Sequence, residues 1–517
     1  MVKSNFYITS PIYYVNDKPH IGHAYTSIAC DTLSRFYRLC NNNVFFLTGS
    51  DEHGQKVEKS AIKLGKKPKE FCDEVSRKFI NLTDILNLSN DDFIRTTDLR
   101  HKKNVNILWN KLCEGGFIYK DIYQGWYSIR DEAFYSEDEI IDNKAPSGAD
   151  VEWHEEESYF FKLSFFQDKL LEFYKNNPDF IQPKSRYNEV MSFVKSGLKD
   201  LSISRTSFKW GIGVPKDDNH IIYVWLDALT NYLSAIDYFD IDSKKSSFWS
   251  SDNSYPIHIV GKDILRFHAI YWPAFLMAAN VKLPSKIFAH GWWTNEGQKI
   301  SKSVGNVIDP SDEIGWLIDL GCNNDLAVDY FRFFLLSDVV FGNDGDYSRQ
   351  NFKLRINSQL ANNIGNLVQR TLTMVAKNCD SKIPDCDINN SNINNYQIRI
   401  NNFHDIITKL FSDLKFDKVI EQIIEFANII NKNINDQAPW NLKKLNKIEQ
   451  MNEVLYISLD AIRVITIWLQ PFMPKSTSKI LDLLNIDYNN RGYNDISNKL
   501  LAGNLVNKPE LIFLRLE

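Results

Sequence analysis

The strongest constraint on the fold is a strand–loop–helix–strand pattern at the start of the chain. Asn5 to Ser10 is rich in aromatic and β-branched residues, which predicts a strand that Pro11 breaks. From Ile21 apolar residues recur with helical spacing until the Asn41 to Asn43 stop, and Val44 to Leu47 is a second apolar strand. A strand, a crossover helix and a second strand predict a parallel sheet, and therefore an α/β fold.

The rest of the 517 residues changes in texture along the chain, and the length alone predicts several domains. Short aromatic strands predict a β-rich insertion, strand signals then return for a second half of the parallel sheet, and helical periodicity dominates the C-terminal part. The predicted segments are residues 1–115 for the first half, 116–213 for the insertion, 214–295 for the second half, 296–351 for a short lysine-bearing region and 352–517 for a helical bundle.

Within these segments the pattern predicts individual elements. The expected strands of the second half are Ile221 to Leu226, Pro256 to Val260 and Ile287 to Ala289. The expected helices are Lys56 to Leu86, Arg100 to Gly115, Ser358 to Lys377, Asn402 to Asn435, Ile448 to Trp468 and Lys475 to Leu484. The Asn-rich stretch Ile388 to Asn402 is interpreted as a loop and helix start.

Composition excludes several classes of protein. The net charge of -5, from 60 Lys+Arg and 65 Asp+Glu, gives no overall attraction to nucleic acid, so a polyanion must be met by local cations. No apolar run reaches the roughly 18 residues of a membrane span, and no secretory signal precedes the first strand, so a cytoplasmic protein is expected. The seven cysteines are scattered and form no C-x-x-C pair, which indicates reduced thiols rather than disulfides or a thiolate zinc site.

The string His20-Ile21-Gly22-His23 opens the first predicted helix. A helix N-terminus offers unpaired N–H groups and a positive dipole to a phosphate, and two imidazoles add donors for developing oxyanion charge. Gly22 removes a side chain where a base or phosphate must come close. The alternatives are two surface histidines beside a helix start, or an i, i+3 metal pair.

A second string, Lys299-Ile300-Ser301-Lys302-Ser303, places two ammonium groups on a loop flanked by Gly and Ser. Lysines three apart on a mobile segment can close over a triphosphate and neutralise the departing pyrophosphate. Taken alone, a lysine-rich loop is more often solvated surface. The two strings together favour nucleotide chemistry.

The two strings resemble the HIGH and KMSKS signatures of the class I aminoacyl-tRNA synthetases, with Ile300 in place of Met. Further strings resemble the methionyl branch of that family; they are Leu47 to Gly54, Tyr223 to Leu229, Gly261 to Ile264 running to Phe267 and His268, and Trp272 to Ala274. The resemblance covers nearly the whole chain. It implies a Rossmann-type catalytic domain in two halves, a connective insertion, a stem-contact region at 296–351 and an anticodon-binding helical bundle.

The resemblance implies a ligase that activates L-methionine with ATP and Mg²⁺ to methionyl-adenylate, and then transfers it to the 3′ end of tRNA(Met), initiator and elongator, releasing AMP and pyrophosphate. Catalysis would consist of positioning and charge stabilisation rather than covalent chemistry. The residues assigned catalytic roles by the resemblance are His20, His23, Lys299, Lys302, Asp51 and Arg205. Asp51 would pair with the substrate ammonium, and Arg205 would help to assemble the active conformation.

An apolar slot suits methionine, because a thioether sulfur accepts hydrogen bonds weakly. By resemblance, its lining is Ile12, Tyr14, Asp51, Trp225, Ala228, Leu229, Tyr232, Phe267 and His268. The Tyr232 hydroxyl would be held by His268 and aimed at the sulfur. Taken singly, the aromatic residues also fit ordinary core packing, Asp51 fits a strand-end turn and Arg205 a surface ion pair.

ATP is expected beyond the carboxyl ends of the parallel strands. The expected ATP contacts are His20, Gly22, His23, Gly261, Asp263, His290, Lys299 and Lys302. Gly261 allows the backbone to approach the ribose, and the Asp263 carboxylate can accept from ribose hydroxyls. A simple Gly-Lys-Asp turn is the alternative for the pair.

Three residues of the bundle suit unpaired anticodon bases. Asn366 and Arg370 are four apart and share one helical face, and Trp440 supplies an aromatic plane after a helix end. Such bases are bound by stacking on aromatic rings and by hydrogen bonds to their edges. A polar helix face and a core tryptophan are the alternative interpretation.

The chain departs from many methionyl relatives in having no cysteine in the connective insertion, so no metal site and no structural zinc are expected. The tip of the insertion is instead expected to be held by aromatic packing, from Trp126, Tyr127, Trp153 and Phe160. The chain stops near the bundle without an appended domain, so a monomer is expected.

Two competing functions are weighed against this one. A class I synthetase for leucine, isoleucine, valine or cysteine is disfavoured because the insertion is short for an editing domain and metal-ligand cysteines are missing. A paralogue that only binds tRNA or a nucleotide is disfavoured because both signatures are intact. ATP–pyrophosphate exchange with a panel of amino acids separates all three.

Overall fold

A computed structural model describes residues 3–15, 18–131, 133–135, 137–299 and 306–517 of the chain. The chain divides into two compact units. One unit comprises residues 1–19, 44–84 and 89–290, and the other comprises residues 20–43, 85–88 and 291–517.

The strands are numbered in chain order. They are β1 (Asn5–Tyr14), β2 (Asn43–Asp51), β3 (Asp92–Arg95), β4 (Ile118–Ser128), β5 (Ala133–Tyr135), β6 (Glu152–Phe161), β7 (Ile181–Gln182), β8 (Leu201–Ser202), β9 (Ser204–Arg205), β10 (Gly213–Val214), β11 (Asp217–Ile222), β12 (Ser254–Gly261), β13 (Lys286–His290), β14 (Trp293–Asn295), β15 (Gln298–Lys299) and β16 (Gly345–Tyr347).

The α-helices are numbered in the same way. They are α1 (Ile21–Leu39), α2 (Gln55–Lys63), α3 (Pro68–Ile85), α4 (Leu99–Glu114), α5 (Gln167–Asn176), α6 (Lys184–Lys195), α7 (Val224–Leu229), α8 (Asn231–Ser234), α9 (Ser247–Ser250), α10 (Trp272–Ala278), α11 (Pro310–Asp319), α12 (Asn324–Ser337), α13 (Arg349–Arg355), α14 (Asn366–Asn378), α15 (Ser391–Ser412), α16 (Phe416–Gln437), α17 (Pro439–Lys444), α18 (Ile448–Leu469) and α19 (Pro474–Leu483). Two further segments are wound as π-helix, Phe267–Tyr271 and Ile356–Gly365.

A six-stranded sheet organises the first unit, in the order β3-β2-β1-β12-β13-β7. The pairs β1–β12, β12–β13, β13–β7 and β2–β3 are all parallel. Two sequence-distant halves therefore form one sheet, as expected. The first strand is longer than predicted and runs through Pro11 to Tyr14. Its pairing with β12 ends at Thr9, so Pro11, which has no N–H, lies beyond the last residue paired with that neighbour.

The insertion holds the antiparallel sheet β5-β4-β6-β8, and its strands β9 and β10 form a second antiparallel sheet with β11, which begins just beyond the insertion. β4 and β6 form its longest ladder, with Ile118 paired to Phe161 and Tyr127 to Glu152. The segment 116–213 also contains helices α5 and α6 and the short strand β7, which belongs to the main sheet. The β-rich texture thus describes only part of this segment.

One expected strand of the second half is wrong. Ile221 to Leu226 was predicted to join the parallel sheet, but β11 ends at Ile222 and pairs antiparallel with β9 and β10, and Val224 begins helix α7. A short buried apolar run looks the same in a strand and in a buried helix, and this one spans the change from one to the other.

The second unit is mainly helical. Its core includes Phe36 of α1, which stacks on Phe411 of α15 at 4.3 Å between ring centroids and meets Tyr493 edge to face at 5.2 Å. α15 begins at Ser391, capped by the Asn390 side chain, so the Asn-rich stretch is more helical than predicted. The parallel sheet, the β-rich insertion and the C-terminal helices together confirm the predicted fold class.

Among the helices described here, none combines the length and the apolar character that crossing a membrane requires.

Candidate active site

The histidine string lies at the N-terminus of α1, in the second unit. His20 is the N-cap, and its Nδ1 accepts from the Gly22 N–H (3.1 Å), while the His20 N–H donates to Nδ1 of His23 (3.1 Å). The centroids of the two imidazole rings lie 3.9 Å apart. Since each Nδ1 accepts a backbone N–H, a neutral ring carries its proton on Nε2. The helix end therefore presents imidazole N–H donors together with its dipole, which suits an anion.

Glycine at position 22 also has a local structural role, besides the close approach of a base or phosphate that the sequence predicts. A Cβ at this position would lie 3.0 Å from Cε1 and 3.1 Å from Nδ1 of His20. Any larger residue would press on the imidazole that caps the helix. Glycine thus keeps the His20 ring in the position where it accepts from the backbone.

The chain returns to this helix end shortly after the lysine string. The Ile21 N–H donates to the Ile308 carbonyl (2.9 Å), and the Asn295 side chain donates to the Asn306 carbonyl (3.1 Å). Lys299 lies in β15, whose backbone pairs with Thr294, and its side chain is not described. Lys302 lies outside the described residues. The structure therefore places the segments that flank the lysine string, but not the ammonium groups.

An aromatic group in the first unit corresponds to the expected methionine lining. The rings of Trp225 and Phe267 stack with centroids 3.6 Å apart and planes 6° from parallel. The Tyr232 hydroxyl lies 2.7 Å from Nε2 of His268, whose Nδ1 lies 3.0 Å from the Ile264 carbonyl. Because a carbonyl only accepts, His268 carries its proton on Nδ1, and Nε2 accepts from Tyr232. The single hydroxyl proton of Tyr232 is thus donated to His268, so Tyr232 can serve another partner only as an acceptor.

A second histidine, missed by the sequence reasoning, lies against the same tyrosine. The ring of His258 is 4.2 Å from that of Tyr232, and its Nε2 accepts from Trp272 Nε1–H (3.3 Å) while Nδ1 faces Thr9 Oγ1 at 2.7 Å. Burial lowers the pKa of His258 well below its usual value, and burial lowers the pKa of His268 to about 4. Both imidazoles are therefore neutral near pH 7, and the surroundings of Tyr232 carry no formal charge from them.

The remaining expected lining residues belong to the same unit. Ile12 and Tyr14 lie on β1, Asp51 is the last residue of β2, and Ala228 and Leu229 lie on α7 beside Trp225. The Val15 N–H donates to the Asp51 carbonyl (3.1 Å), which ties the ends of β1 and β2 together. Asp51 is 8% exposed.

Gly261, Asp263 and His290 meet at the carboxyl ends of β12 and β13, where Gly261 is in register with His290. A Cβ on Gly261 would lie 2.5 Å from Asp263 Oδ1, so glycine leaves room for this carboxylate. His290 is buried and Asp263 is exposed. These three residues lie at the edge of the sheet where open parallel sheets bind their ligands.

Arg205 lies on β9 and is held by the insertion. Its Nη1 donates to Ser202 Oγ (2.8 Å) and to the Ser204 carbonyl (2.6 Å), and its guanidinium lies 4.6 Å from the ring centroid of Tyr223. It is 3% exposed, so the alternative of a surface ion pair is excluded. Tyr223 immediately precedes α7, which carries Trp225.

A buried network joins two of the strings singled out in the sequence. The Asp227 carboxylate lies 2.7 Å from His53 Nδ1 and 2.7 Å from His101 Nε2, and His101 Nδ1 lies 3.1 Å from Ser234 Oγ. Burial alone would raise the pKa of Asp227, but the two imidazoles outweigh it and hold the pKa at about 2. Sequence reasoning missed this network because its members are far apart in the chain and carry no spacing signal.

The expected anticodon residues lie in the second unit. Asn366 is exposed on α14, and Trp440 on α17 is 45% exposed. Arg370 donates from Nη1 to Asn435 Oδ1 (2.8 Å) and from Nη2 to Asn431 Oδ1 (2.8 Å), both on α16. α17 follows α16 through Ala438, which is left-handed at φ 42°. The exposure of Trp440 excludes the alternative of a core tryptophan.

The tip of the insertion is held by more than the expected aromatic packing. Trp126 meets Trp153 edge to face at 5.6 Å, and Phe160 stacks on Tyr119. A polar cluster is added at Asp131, which accepts from the hydroxyls of Tyr135 (2.9 Å) and Ser147. Burial would raise the pKa of Asp131, but the Ser147 and Tyr135 hydroxyls lower it below its usual value. Within the described ranges, no group of three or more His, Cys, Asp and Glu side chains is arranged to hold a metal ion.

Comparisons with family models and with known relatives indicate the same family. The family model described as "tRNA synthetases class I (M)" matches residues 6–149 and 138–372, and the model "Anticodon binding domain of methionyl tRNA ligase" matches residues 389–517. A methionine–tRNA ligase of Rickettsia felis is 53% identical over 524 aligned positions, covering 100% of this chain and 99% of the relative. One of Rhizobium meliloti is 45% identical, covering 99% and 98%.

Solved structures agree with the sequence relatives. The structure of Mycobacterium tuberculosis methionyl-tRNA synthetase in complex with methionyl-adenylate is similar to this chain with a TM-score of 0.91 and 42% identity. The match covers 99% of this chain and 100% of that one.

Proposed function

The chain belongs to the class I tRNA synthetases, in the methionyl branch of that family, and from this premise we propose that it is a methionine–tRNA ligase. It activates L-methionine with ATP to methionyl-adenylate and pyrophosphate, and then transfers the methionyl group to the 3′-terminal ribose of tRNA(Met), releasing AMP. The observation that carries the proposal is the aromatic group around Tyr232, on a chain of this family.

This aromatic group is proposed to hold the methionine side chain. Trp225 and Phe267 supply flat apolar walls, and the imidazoles of His258 and His268 are neutral and so add no formal charge beside Tyr232. A thioether is bound through contact area and polarizability rather than through strong hydrogen bonds, which such walls provide. Because Tyr232 donates its hydroxyl proton to His268, it cannot also donate to the thioether sulfur, and it contributes only van der Waals contact to the pocket. Charged and strongly polar side chains are excluded by the cost of burying them.

The polar part of the amino acid is proposed to bind at Asp51, whose carboxylate pairs with the α-ammonium. The methionine carboxylate attacks the α-phosphate in line, so the bond to the pyrophosphate oxygen breaks as the new P–O bond forms. His20 and His23 donate from Nε2 to the phosphate oxygens, and the α1 dipole adds to this stabilisation. Lys299 and Lys302 neutralise the departing pyrophosphate. Gly261, Asp263 and His290 are proposed to bind the nucleoside, and Mg²⁺ enters with ATP as part of the substrate.

The second unit is proposed to recognise the tRNA. Trp440 offers an exposed ring for a stacked base, and Asn366 offers amide donors and acceptors to a base edge. Arg370 is pre-ordered by Asn431 and Asn435, so little conformational entropy is lost when it binds. Initiator and elongator tRNA(Met) share the anticodon and are both proposed as substrates. The protein is further proposed to act as a cytoplasmic monomer, and its seven free thiols suit a reducing compartment.

ATP–pyrophosphate exchange with methionine, leucine, isoleucine, valine and cysteine tests the proposal. Methionine alone should support rapid exchange. Trp225→Ala should lower kcat/KM for methionine by about 30- to 150-fold, the equivalent of about 2–3 kcal/mol of lost aromatic burial. Trp153→Ala removes a tryptophan from an aromatic pair in the insertion and should leave exchange within about twofold. Equal exchange with another amino acid, or none with methionine, would contradict the proposal.

A further inference from the structure

The carboxylate of Asp227 is fully buried and is not among the residues assigned to the reaction. It is shared between two histidines, with Oδ2 at 2.7 Å from His53 Nδ1 and Oδ1 at 2.7 Å from His101 Nε2. His53 and His101 are also buried, at 2% and 0% exposure. A carboxylate without water is stable only when donors satisfy both oxygens, so both imidazole N–H groups are required.

The three residues lie on elements that carry the proposed methionine site. His53 follows Asp51 by two residues, in the turn between β2 and α2. Asp227 lies on α7 between Trp225 and Ala228. His101 reaches from α4 and its Nδ1 lies 3.1 Å from Ser234 Oγ on α8, the helix that contains Tyr232. One buried carboxylate thus joins the segment that carries Asp51 to the helices that carry Trp225 and Tyr232.

The residue that follows Asp51 makes hydrogen bonds to elements other than α7. Glu52 accepts from Arg95 Nε (2.5 Å), its N–H donates to Thr96 Oγ1 (2.9 Å), and its carbonyl accepts from Trp210 Nε1 (2.5 Å). These contacts fix the segment against β3 and the insertion, not against α7. The hydrogen bond from His53 to Asp227 therefore fixes the distance between this segment and α7.

We propose that Asp227 is a positioning residue of the methionine site, which acts through His53 to hold the Asp51 carboxylate in register with the Trp225–Phe267 stack. The proposal rests on the proposed function in one respect, the pairing of Asp51 with the substrate ammonium. Asp227 itself touches no substrate in this scheme. Loosening the segment moves one charged anchor relative to the aromatic walls, and methionine is the substrate that needs both at once.

The kinetic signature of this role is selective. Asp227→Asn keeps the shape but replaces the shared carboxylate by an amide, which cannot accept from both imidazoles through two oxygens. KM for methionine in the exchange assay should rise by about 10-fold or more, while KM for ATP stays within about threefold. A merely structural role would reduce the active fraction and leave both KM values unchanged.

His53 provides an independent pair of variants. His53→Asn places an amide N–H near the position of Nδ1 and should keep KM for methionine within about threefold of wild type. His53→Ala removes the donor and should raise this KM by about 10-fold or more. If Asp227→Asn does not fold, the comparison of His53→Asn with His53→Ala tests the proposal without it. Equal KM values for methionine in these two variants would overturn the proposal.

Asp460→Asn is the matched control. Asp460 is also a buried aspartate with two donors, Arg463 Nε (2.8 Å) and the Tyr396 hydroxyl (3.1 Å), but it lies in the helical unit. Its substitution should leave KM for methionine within about twofold, since exchange does not involve the tRNA. A wild-type enzyme without methionine-dependent exchange would refute the proposed function. An active wild type with parallel shifts in both KM values for Asp227→Asn would refute the positioning role alone.

Discussion

The neutral state of His268 leads to a quantitative pH prediction. In the unfolded chain this imidazole takes up a proton near its usual pKa of 6.5, whereas burial lowers the pKa in the folded protein to about 4. Between these values the unfolded state binds more protons than the folded state, so stability falls as the pH falls from about 6.5 to about 4. Above this pH window His268 is neutral in both states and does not make the free energy of unfolding depend on pH. Below the window His268 is protonated in both states, and no further stability is lost.

Linkage gives the size of the loss. One histidine with these two pKa values removes about 0.8 kcal/mol at pH 6, about 2 kcal/mol at pH 5 and about 2.6 kcal/mol at pH 4.5 from the free energy of unfolding. His258 shifts in the same direction, and carboxylates such as Asp227 contribute only at lower pH. A comparison of two proteins that differ only at position 268 therefore isolates the contribution of His268 to the free energy of unfolding.

The comparison is between wild type and His268→Gln. Glutamine does not titrate, and its amide oxygen can accept from Tyr232. The variant should be less stable at pH 7 because a buried ring is lost, but the difference should shrink by about 2 kcal/mol on going to pH 5. Urea unfolding at each pH, followed by pulse hydrogen exchange in the peptide spanning residues 264–276, reports on the unit that contains His268. Parallel pH profiles for the two proteins would refute a neutral, buried His268.

Three further outcomes follow from the proposed roles. Lys302→Ala should lower the rate of adenylate formation by about 100-fold or more with little effect on KM for methionine, and near-normal exchange would contradict its role at the pyrophosphate. Trp440→Ala should lower kcat/KM for tRNA(Met) by about 5- to 150-fold and leave ATP–pyrophosphate exchange unchanged, as expected for the loss of one base stack. Asp131→Ala should increase proteolysis at the tip of the insertion, and stoichiometric zinc in the wild type by elemental analysis would contradict the expectation that no metal holds this tip.

Regular periodicity allowed much of the fold to be predicted from the sequence. The α1 helix and the strands β12 and β13 lie within one or two residues of their expected positions, because each combines a clear apolar pattern with a turn signal. The wrong strand at Ile221 to Leu226 is short and fully apolar, and such a run carries no period to distinguish strand from helix. Its antiparallel pairing with β9 depends on residues of the insertion, which local pattern does not contain.

The site residues also differ in whether a local sequence pattern could identify them. His20 and Gly22 could be singled out from the sequence because a helix start is a local pattern, and their capping contacts lie within three residues. Trp225 and Phe267 were assigned only through the family resemblance, since aromatic residues in a core and in a pocket have the same sequence signal. The Asp227 network was not found at all, because His53 lies 174 positions away in the chain. Long-range polar contacts of this kind follow from the folded topology and not from spacing.

The histidines also show why residue type alone does not determine chemistry. His20 and His23 each accept a backbone N–H at Nδ1, which leaves the proton on Nε2 and makes both rings donors for an anion. His268 donates from Nδ1 to the Ile264 carbonyl, so its Nε2 is an acceptor and receives the hydrogen bond from the Tyr232 hydroxyl. The difference is set by the backbone: a helix N-terminus exposes N–H groups, whereas the π-helical turn Phe267–Tyr271 brings His268 against a carbonyl. Local backbone geometry thus makes Nε2 a donor in His20 and His23 and an acceptor in His268, whereas burial is what keeps His268 neutral.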